Sequence, residues 1–183
     1  MESHMGQGYK FQPSDELSVS LLKEKRLDPH FSYGPIKDIG HICSLEPWDL
    51  PTESKTESED QVFYFFYEPR YKYRNSNRVD RRTEAGQWKI TSKDSQIEAG
   101  NGLTGTKKFL TFYCRGPDSK VPVKTDWVVH EYHAKDDPRY EKEFVLCCIT
   151  NGEASAYVDD GSETNTADND AWVEERSVIL SSL

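Results

Sequence analysis

The hydrophobic pattern changes character near residue 60. Before that point Leu17, Val19, Leu21 and Leu22 recur at three- and four-residue spacings, which is one face of a helix. Pro13-Ser14-Asp15-Glu16 supplies a start signal, with proline outside, Ser14 or Asp15 as N-cap and acids in the first turn. The predicted helix runs to about Lys25 and breaks at Asp28-Pro29-His30. A second, shorter element is expected over Pro35–Ile39. Glu46-Pro47-Trp48-Asp49-Leu50-Pro51 reads as a turn pinned by two prolines, with Trp48 packed beneath it. Thr52 to Asp60 reads as a solvated, mobile acidic loop.

Beyond residue 60 the apolar positions form strand-length runs. Val62-Phe63-Tyr64-Phe65-Phe66-Tyr67 is continuous and aromatic, as in a central strand covered on both faces. Further strands are expected over Gln87–Thr91, Lys107–Cys114, Thr125–Tyr132 and Glu143–Ile149. The turns between them carry Asn75-Ser76-Asn77, Gly100-Asn101-Gly102 and Arg115-Gly116-Pro117. Short linkers between strands favour antiparallel pairing, and the helices are confined to the N-terminal third. The fold class is therefore α+β. Residues 1–7 read as a flexible start, 8–150 as one domain and 151–183 as an acidic, largely disordered tail.

Composition supports one modest core in 183 residues: 35% apolar and a mean hydropathy of −0.82, but 12% aromatic. The net charge of −9 hides an asymmetry. Residues 62–125 hold 13 Lys and Arg against 6 Asp and Glu, while both flanks are acidic. A local positive field of this kind can hold a polyanion on a negatively charged protein. Cys43, Cys114, Cys147 and Cys148 form no C-x-x-C pair, and the chain opens without a signal-like segment. These are expected to be reduced thiols in a soluble protein of the cytosol or nucleus, with no membrane span.

Catalytic chemistry finds little footing. There is no G-x-S-x-G, no glycine-rich phosphate loop and no H-E-x-x-H, so no enzyme activity and no cofactor are expected. His130 and His133 are three apart on a strand and point to opposite faces, which disfavours a shared metal. The basic middle is more informative. Lys72, Arg74, Arg78, Arg81, Lys89 and Lys93 interleave with aromatics in a pattern that suits phosphate contact and groove reading by a strand.

Six motifs then recur in an order that resembles the plant NAC-domain transcription factors, over about residues 8 to 149. Gly8-Tyr9-Lys10-Phe11 with Pro13-Ser14-Asp15-Glu16 resembles G-F-R-F-x-P-T-D-E-E-L, and Glu46–Pro51 is E-P-W-D-L-P. Phe63–Tyr73 resembles W-Y-F-F-x-x-R-x-x-K-Y, and Trp88–Asp94 resembles W-K-A-T-G-K-D. Gly105–Tyr113 resembles G-x-K-K-T-L-V-F-Y, and Thr125–Tyr132 resembles T-D-W-V-M-H-E-Y. The resemblance implies a twisted antiparallel sheet packed between helical elements, acting as a dimer in the nucleus. It implies that the strand around Trp88–Lys93 enters the major groove of double-stranded DNA. Lys72, Arg78, Arg81 and Lys89 match DNA-contacting positions, with Lys93 as a further contact. Lys10 and Glu16 match a salt bridge across the dimer interface with a homologous partner.

The departures mark this as a divergent member. Asp15-Glu16-Leu17 is one residue short of D-E-E-L, and Lys10 lacks the bidentate fork of arginine. Asp80 adds negative charge between the arginines and is expected to weaken phosphate contact. Gln87, Ile90 and Ser92 replace an aromatic residue, alanine and glycine in the groove strand, and Cys148 replaces a basic residue in the last strand. Two functions follow: a sequence-specific DNA-binding transcription regulator, or an interaction module that dimerises with related factors and binds DNA weakly or not at all. The apolar residues of the acidic tail, Trp172 and Val178-Ile179-Leu180, suit an activation segment.

Overall fold

A computed structural model describes residues 10–55, 60–118 and 120–152. The start expected to be flexible, residues 56–59 of the expected acidic loop and nearly all of the expected acidic tail, including Trp172 and Val178–Leu180, lie outside the described residues. The order is α1 (Asp15–Leu27), β1 (Lys37–Asp38), a 3-10 turn (Ile42–Ser44), α2 (Leu50–Glu53), β2 (Val62–Tyr67), β3 (Gly86–Ile90), β4 (Ser95–Glu98), β5 (Thr104–Cys114), β6 (Val123–Ala134) and β7 (Val145–Asn151). Seven strands form one twisted sheet in the order β1-β2-β7-β6-β5-β3, with β4 also on β5. The α+β class holds. The pairing is antiparallel except at one edge, where β1 runs parallel to β2. The two-residue β1 follows α1 and returns alongside β2, a crossover that local strand signals do not show.

Helix α1 begins as its sequence dictates. Ser14 is the N-cap, and its Oγ accepts from Leu17 N at 3.1 Å. Asp15 and Glu16 lie in the first turn, where they oppose the helix dipole. The buried positions are 18, 19, 21, 22, 25 and 26. Leu17 falls at the margin of that face and is exposed, contrary to its place in the apolar stripe. Lys25 and Arg26 are buried instead. Lys25 Nζ donates to Pro29 O at 2.7 Å, Phe31 O at 2.9 Å and Asp38 Oδ2 at 2.9 Å. Arg26 donates to Ala134 O at 2.9 Å. Lys25 thereby pairs the polar head that burial would otherwise leave unmet, while Arg26 keeps its Nε buried without a partner among the described residues.

The sheet has a core on each face. Val19 and Leu22 of α1 pack with Tyr64, Phe66, Tyr132, Leu146 and Cys148 on one side. Ile42 and Leu50 cover Phe63, Phe65, Tyr67, Trp88, Phe112, Val129 and Cys147 on the other. Alternate residues of β2 therefore belong to opposite cores, as expected for a strand covered on both faces. Leu50, not Trp48, is the buried anchor of the proline-bounded segment. Trp48 is 45% exposed and lays its ring edge-on to Phe112 at 6.0 Å. The loop expected from Thr52 starts later, because α2 extends through Glu53.

Strand β4 was not expected. It continues the line of β3 along β5: Gly86–Ile90 pair with Cys114–Leu110, and Ser95–Glu98 pair with Lys107–Thr104. The interruption is stitched to β5 by Thr91 N donating to Phe109 O at 2.8 Å and Phe109 N donating to Ser92 Oγ at 3.0 Å. Ser92 therefore ends a strand rather than tilting one. Cys43, Cys114, Cys147 and Cys148 are free thiols.

Candidate nucleic-acid interface

The basic stretch builds a groove beside β3. Tyr71 and Val79 form a bridge, with Lys72 N donating to Arg78 O at 2.9 Å, so residues 71–79 double back as a small loop. The chain then runs next to β3: Arg82 pairs with Gln87, and Trp88 N donates to Arg81 O at 2.9 Å. Gly86 allows β3 itself to lie close against β5, since a Cβ there would overlap the Tyr113 carbonyl oxygen and lie 2.9 Å from the Phe112 ring. Ala85 N donates to Glu46 Oε1 at 2.9 Å, which ties the proline-bounded segment to the turn before β3.

The resulting open groove has a volume of about 440 Å³. Four of the sequence-predicted cations line it: Lys72, Arg78, Arg81 and Lys89. The fifth, Lys93, is exposed in the break between β3 and β4 and does not line the groove. Arg82, Lys108 and His133 line it too, and sequence reading placed none of the three among the phosphate contacts. The signal for Lys108 and His133 was the alternation along β5 and β6, which puts Lys108, Glu131 and His133 on the same side of the sheet as Val129.

Carboxylates shape the groove's charge. Asp80 accepts from Arg82 Nε at 3.0 Å and Arg82 N at 3.3 Å. Partial burial pushes the Asp80 carboxyl up, but the Arg82 hydrogen bonds and charge and the nearby Lys72 outweigh it and hold it below its ordinary value. Asp80 thus sits on Arg82 rather than between the arginines. Lys108 approaches Asp94 at 3.5 Å. Beneath Arg81 lies Glu131, only 2% exposed. It accepts from Tyr67 Oη at 2.5 Å, and its other oxygen lies 3.0 Å from His133 Nε2 and 3.4 Å from Arg81 Nη2. Burial alone would raise its pKa; His133, Arg81 and Tyr67 together pull it down to about 2. Glu131 is therefore ionised at neutral pH. Arg81 Nε remains buried without a partner among the described residues.

Lys89 and Trp88 take opposite sides of β3, and Lys89 Nζ rests 4.5 Å above the Tyr113 ring. Ile90, which stands where the resemblance has alanine, lines this groove and also packs against the Trp88 core. Cys148, in place of a basic residue, is buried beside Tyr64. The two residues matched to a dimer salt bridge lie apart from the groove lining. Lys10 Nζ bonds Asp60 at 2.7 Å within the chain, and Glu16 is exposed on α1.

A twisted seven-stranded sheet with a cation-lined groove beside an outer strand defines a candidate polyanion-binding domain. The family model for the No apical meristem (NAM) protein matches residues 5–134, and the chain belongs to this family. Over 150 residues it is 42% identical to NAC domain-containing protein 92 of Arabidopsis thaliana, covering 78% of this chain and 51% of that protein. It is 38% identical over 149 residues to NAC domain-containing protein 53 of the same plant, covering 78% of this chain and 26% of the relative. For NAC domain-containing protein 40 the identity is 33% over 172 residues, covering 92% of this chain and 49% of the relative. The chain thus spans about a quarter to a half of the length of these relatives. Among the described residues no helix is long and apolar enough to cross a membrane.

Proposed function

We propose that this protein is a sequence-specific DNA-binding transcription regulator of the nucleus, not an enzyme, which presents the β3 segment to the major groove as a dimer. The observation that carries the reading is the groove itself. Lys72, Arg78, Arg81 and Lys89 line one concave surface beside β3, although two elements of the chain contribute them. Such a surface suits phosphates on both sides of a strand seated in a duplex. Lys93, exposed at the end of β3, extends the contact along the backbone.

The dimer contact is proposed at Lys10 and Glu16. Lys10 is engaged by Asp60, but both side chains are more than half exposed, so exchange to a partner's carboxylate costs little. The partner is a second copy or a related NAC-domain protein.

A second reading, an interaction module with weak DNA binding, draws on the ion pairs at the groove. Arg82 is held by Asp80 and Arg81 by Glu131, which subtracts from the field available to phosphates.

Titration of the full chain on a labelled duplex carrying a NAC-type site separates the two. A DNA reader loses affinity steeply between about 50 and 200 mM salt, as several phosphate contacts require. Lys89→Ala with Arg81→Ala should abolish most of that binding. No binding at low salt, or binding indifferent to the double substitution, would leave the interaction module as the better account. Light scattering on the same sample, with Lys10→Ala beside it, reads the dimer.

A further inference from the structure

Among the side chains that line the groove and that the proposed DNA contacts leave unused is a histidine, His133. Glu131 and His133 are two apart on β6 and so share a side of the sheet. The buried, ionised Glu131 can only accept hydrogen bonds. The ring nitrogen facing it at 3.0 Å, Nε2, must therefore carry the hydrogen. That fixes the tautomer and leaves Nδ1 as the nitrogen whose proton is free to come and go. The side chain is 26% exposed and lines the groove. It combines an anchored end with an open one.

We propose that His133 Nδ1 is a phosphate contact of this groove, taking up a proton from solvent when an anion binds, with Glu131 as its positioning residue. The inference rests on the polyanion-binding reading of the groove and adds to it the ligand chemistry at one atom, a phosphate oxygen, and a dependence on pH.

The surrounding charges set the sign. Glu131 comes from β6, Lys108 from β5 and Lys89 from β3. The segment before β3 adds Arg78, Arg81 and Arg82, and Lys72 and Glu143 line the same groove, with Tyr71 donating to Glu143 at 2.6 Å. An entering phosphate adds negative charge and an acceptor for Nδ1–H, so protonation and anion binding support each other. Arg81 Nε, buried and unpartnered among the described residues, is a second donor suited to the same anion. The bond from Glu131 to Nε2 keeps the ring's direction fixed as the far nitrogen changes state.

The deciding measurement follows the ring nitrogens of His133 by nuclear magnetic resonance, in the full chain titrated with inorganic tripolyphosphate at pH 7. Nδ1 should move to the protonated position as the probe binds, and Glu131→Gln should weaken that response. A second arm measures duplex affinity at pH 6 and pH 8 for the wild type, His133→Gln and His133→Arg. Linkage of one proton allows up to about tenfold loss per pH unit on the alkaline side. The wild type should weaken several-fold toward pH 8, His133→Gln should be weak and flat, and His133→Arg tight and flat. If the wild type binds duplex with no more pH dependence than His133→Gln, the His133 contact is wrong and the DNA reading stands. If duplex is not bound while tripolyphosphate protonates His133, the DNA reading falls and the phosphate contact stands. If tripolyphosphate leaves Nδ1 unchanged, the proposal fails whatever the duplex does.

Discussion

Tyr67 on β2 donates a 2.5 Å hydrogen bond to Glu131 on β6, so a phenol from the core underpins the carboxylate of the groove. Both side chains are almost fully buried, and each makes the other tolerable there. Tyr67→Phe should cost about 1–3 kcal/mol, the usual penalty for one lost buried partner. Glu131→Ala should cost more, about 3–5 kcal/mol, because it strands Arg81 and the phenol together. Urea unfolding of the two variants measures both. Equal losses would mean that Arg81 draws nothing from Glu131.

Stability should fall in two stages as pH drops. His130 is buried against Phe109 at 4.5 Å between ring centres. Burial, then the charge of Lys107, lowers its pKa from 6.5 to about 4, against a smaller opposing effect of Asp15. The unfolded chain therefore binds a proton that the folded one refuses between pH 6.5 and 4. Its contribution is whole above the upper value and is lost as pH falls through that window. Glu131 behaves as a depressed carboxylate: its contribution is present above 4.5 and disappears as pH falls toward 2. Unfolding free energies between pH 7 and pH 4.5 should thus slope upward with pH in the wild type and flatten in His130→Gln. An unchanged slope in that variant would remove His130 as the source.

Much of this was legible in the chain. The N-cap at Ser14 and the aromatic run of β2 each carry a local signal and stand where it indicates, and the basic stretch before Trp88 gathers in one groove. What was not legible depends on partners distant in sequence. Lys25 and Arg26 lie outside the apolar stripe of the sequence, yet Asp38 and Ala134 O receive them inside the fold. β4 has no strand signal of its own, and exists because β5 extends past β3 and offers a free edge. Alternation along β5 and β6 gives the side that Lys108 and His133 take, but only the register of the two strands brings them together at the groove. Asp80 was legible as a negative charge, but not as the partner of Arg82.

Gly86→Ala should be one of the most damaging single-methyl changes in the chain. The new Cβ would run into the backbone of Tyr113, which is paired in the sheet and has little room to yield, and into Phe112. Overpacking against backbone costs about 1–3 kcal/mol or more. The expected result is a fall in Tm of several degrees, with loss of the near-ultraviolet signal of Trp88. An unaltered Tm would mean that β3 sits further from β5 than its register indicates.

Asp80→Asn tests whether the groove is held below its full positive charge. Asp80 accepts two hydrogen bonds from Arg82, through Nε at 3.0 Å and the backbone nitrogen at 3.3 Å. Asparagine keeps a side-chain oxygen for the backbone bond, so the turn should survive with a loss of at most about 1 kcal/mol. It removes the negative charge beside the guanidinium, so a phosphate meets one more net positive charge in the groove. On the DNA-binding reading, the variant should bind a labelled duplex several-fold more tightly at about 50 mM salt, with a salt slope steeper by about 0.9, the value for one added phosphate contact. Because the gain is electrostatic, it should fade toward about 200 mM salt, where counterion release contributes less. A gain that persists unchanged at high salt would point to altered shape instead of charge. A loss of affinity would mean that Asp80 positions Arg82 for the duplex, and that its carboxylate is part of the interface.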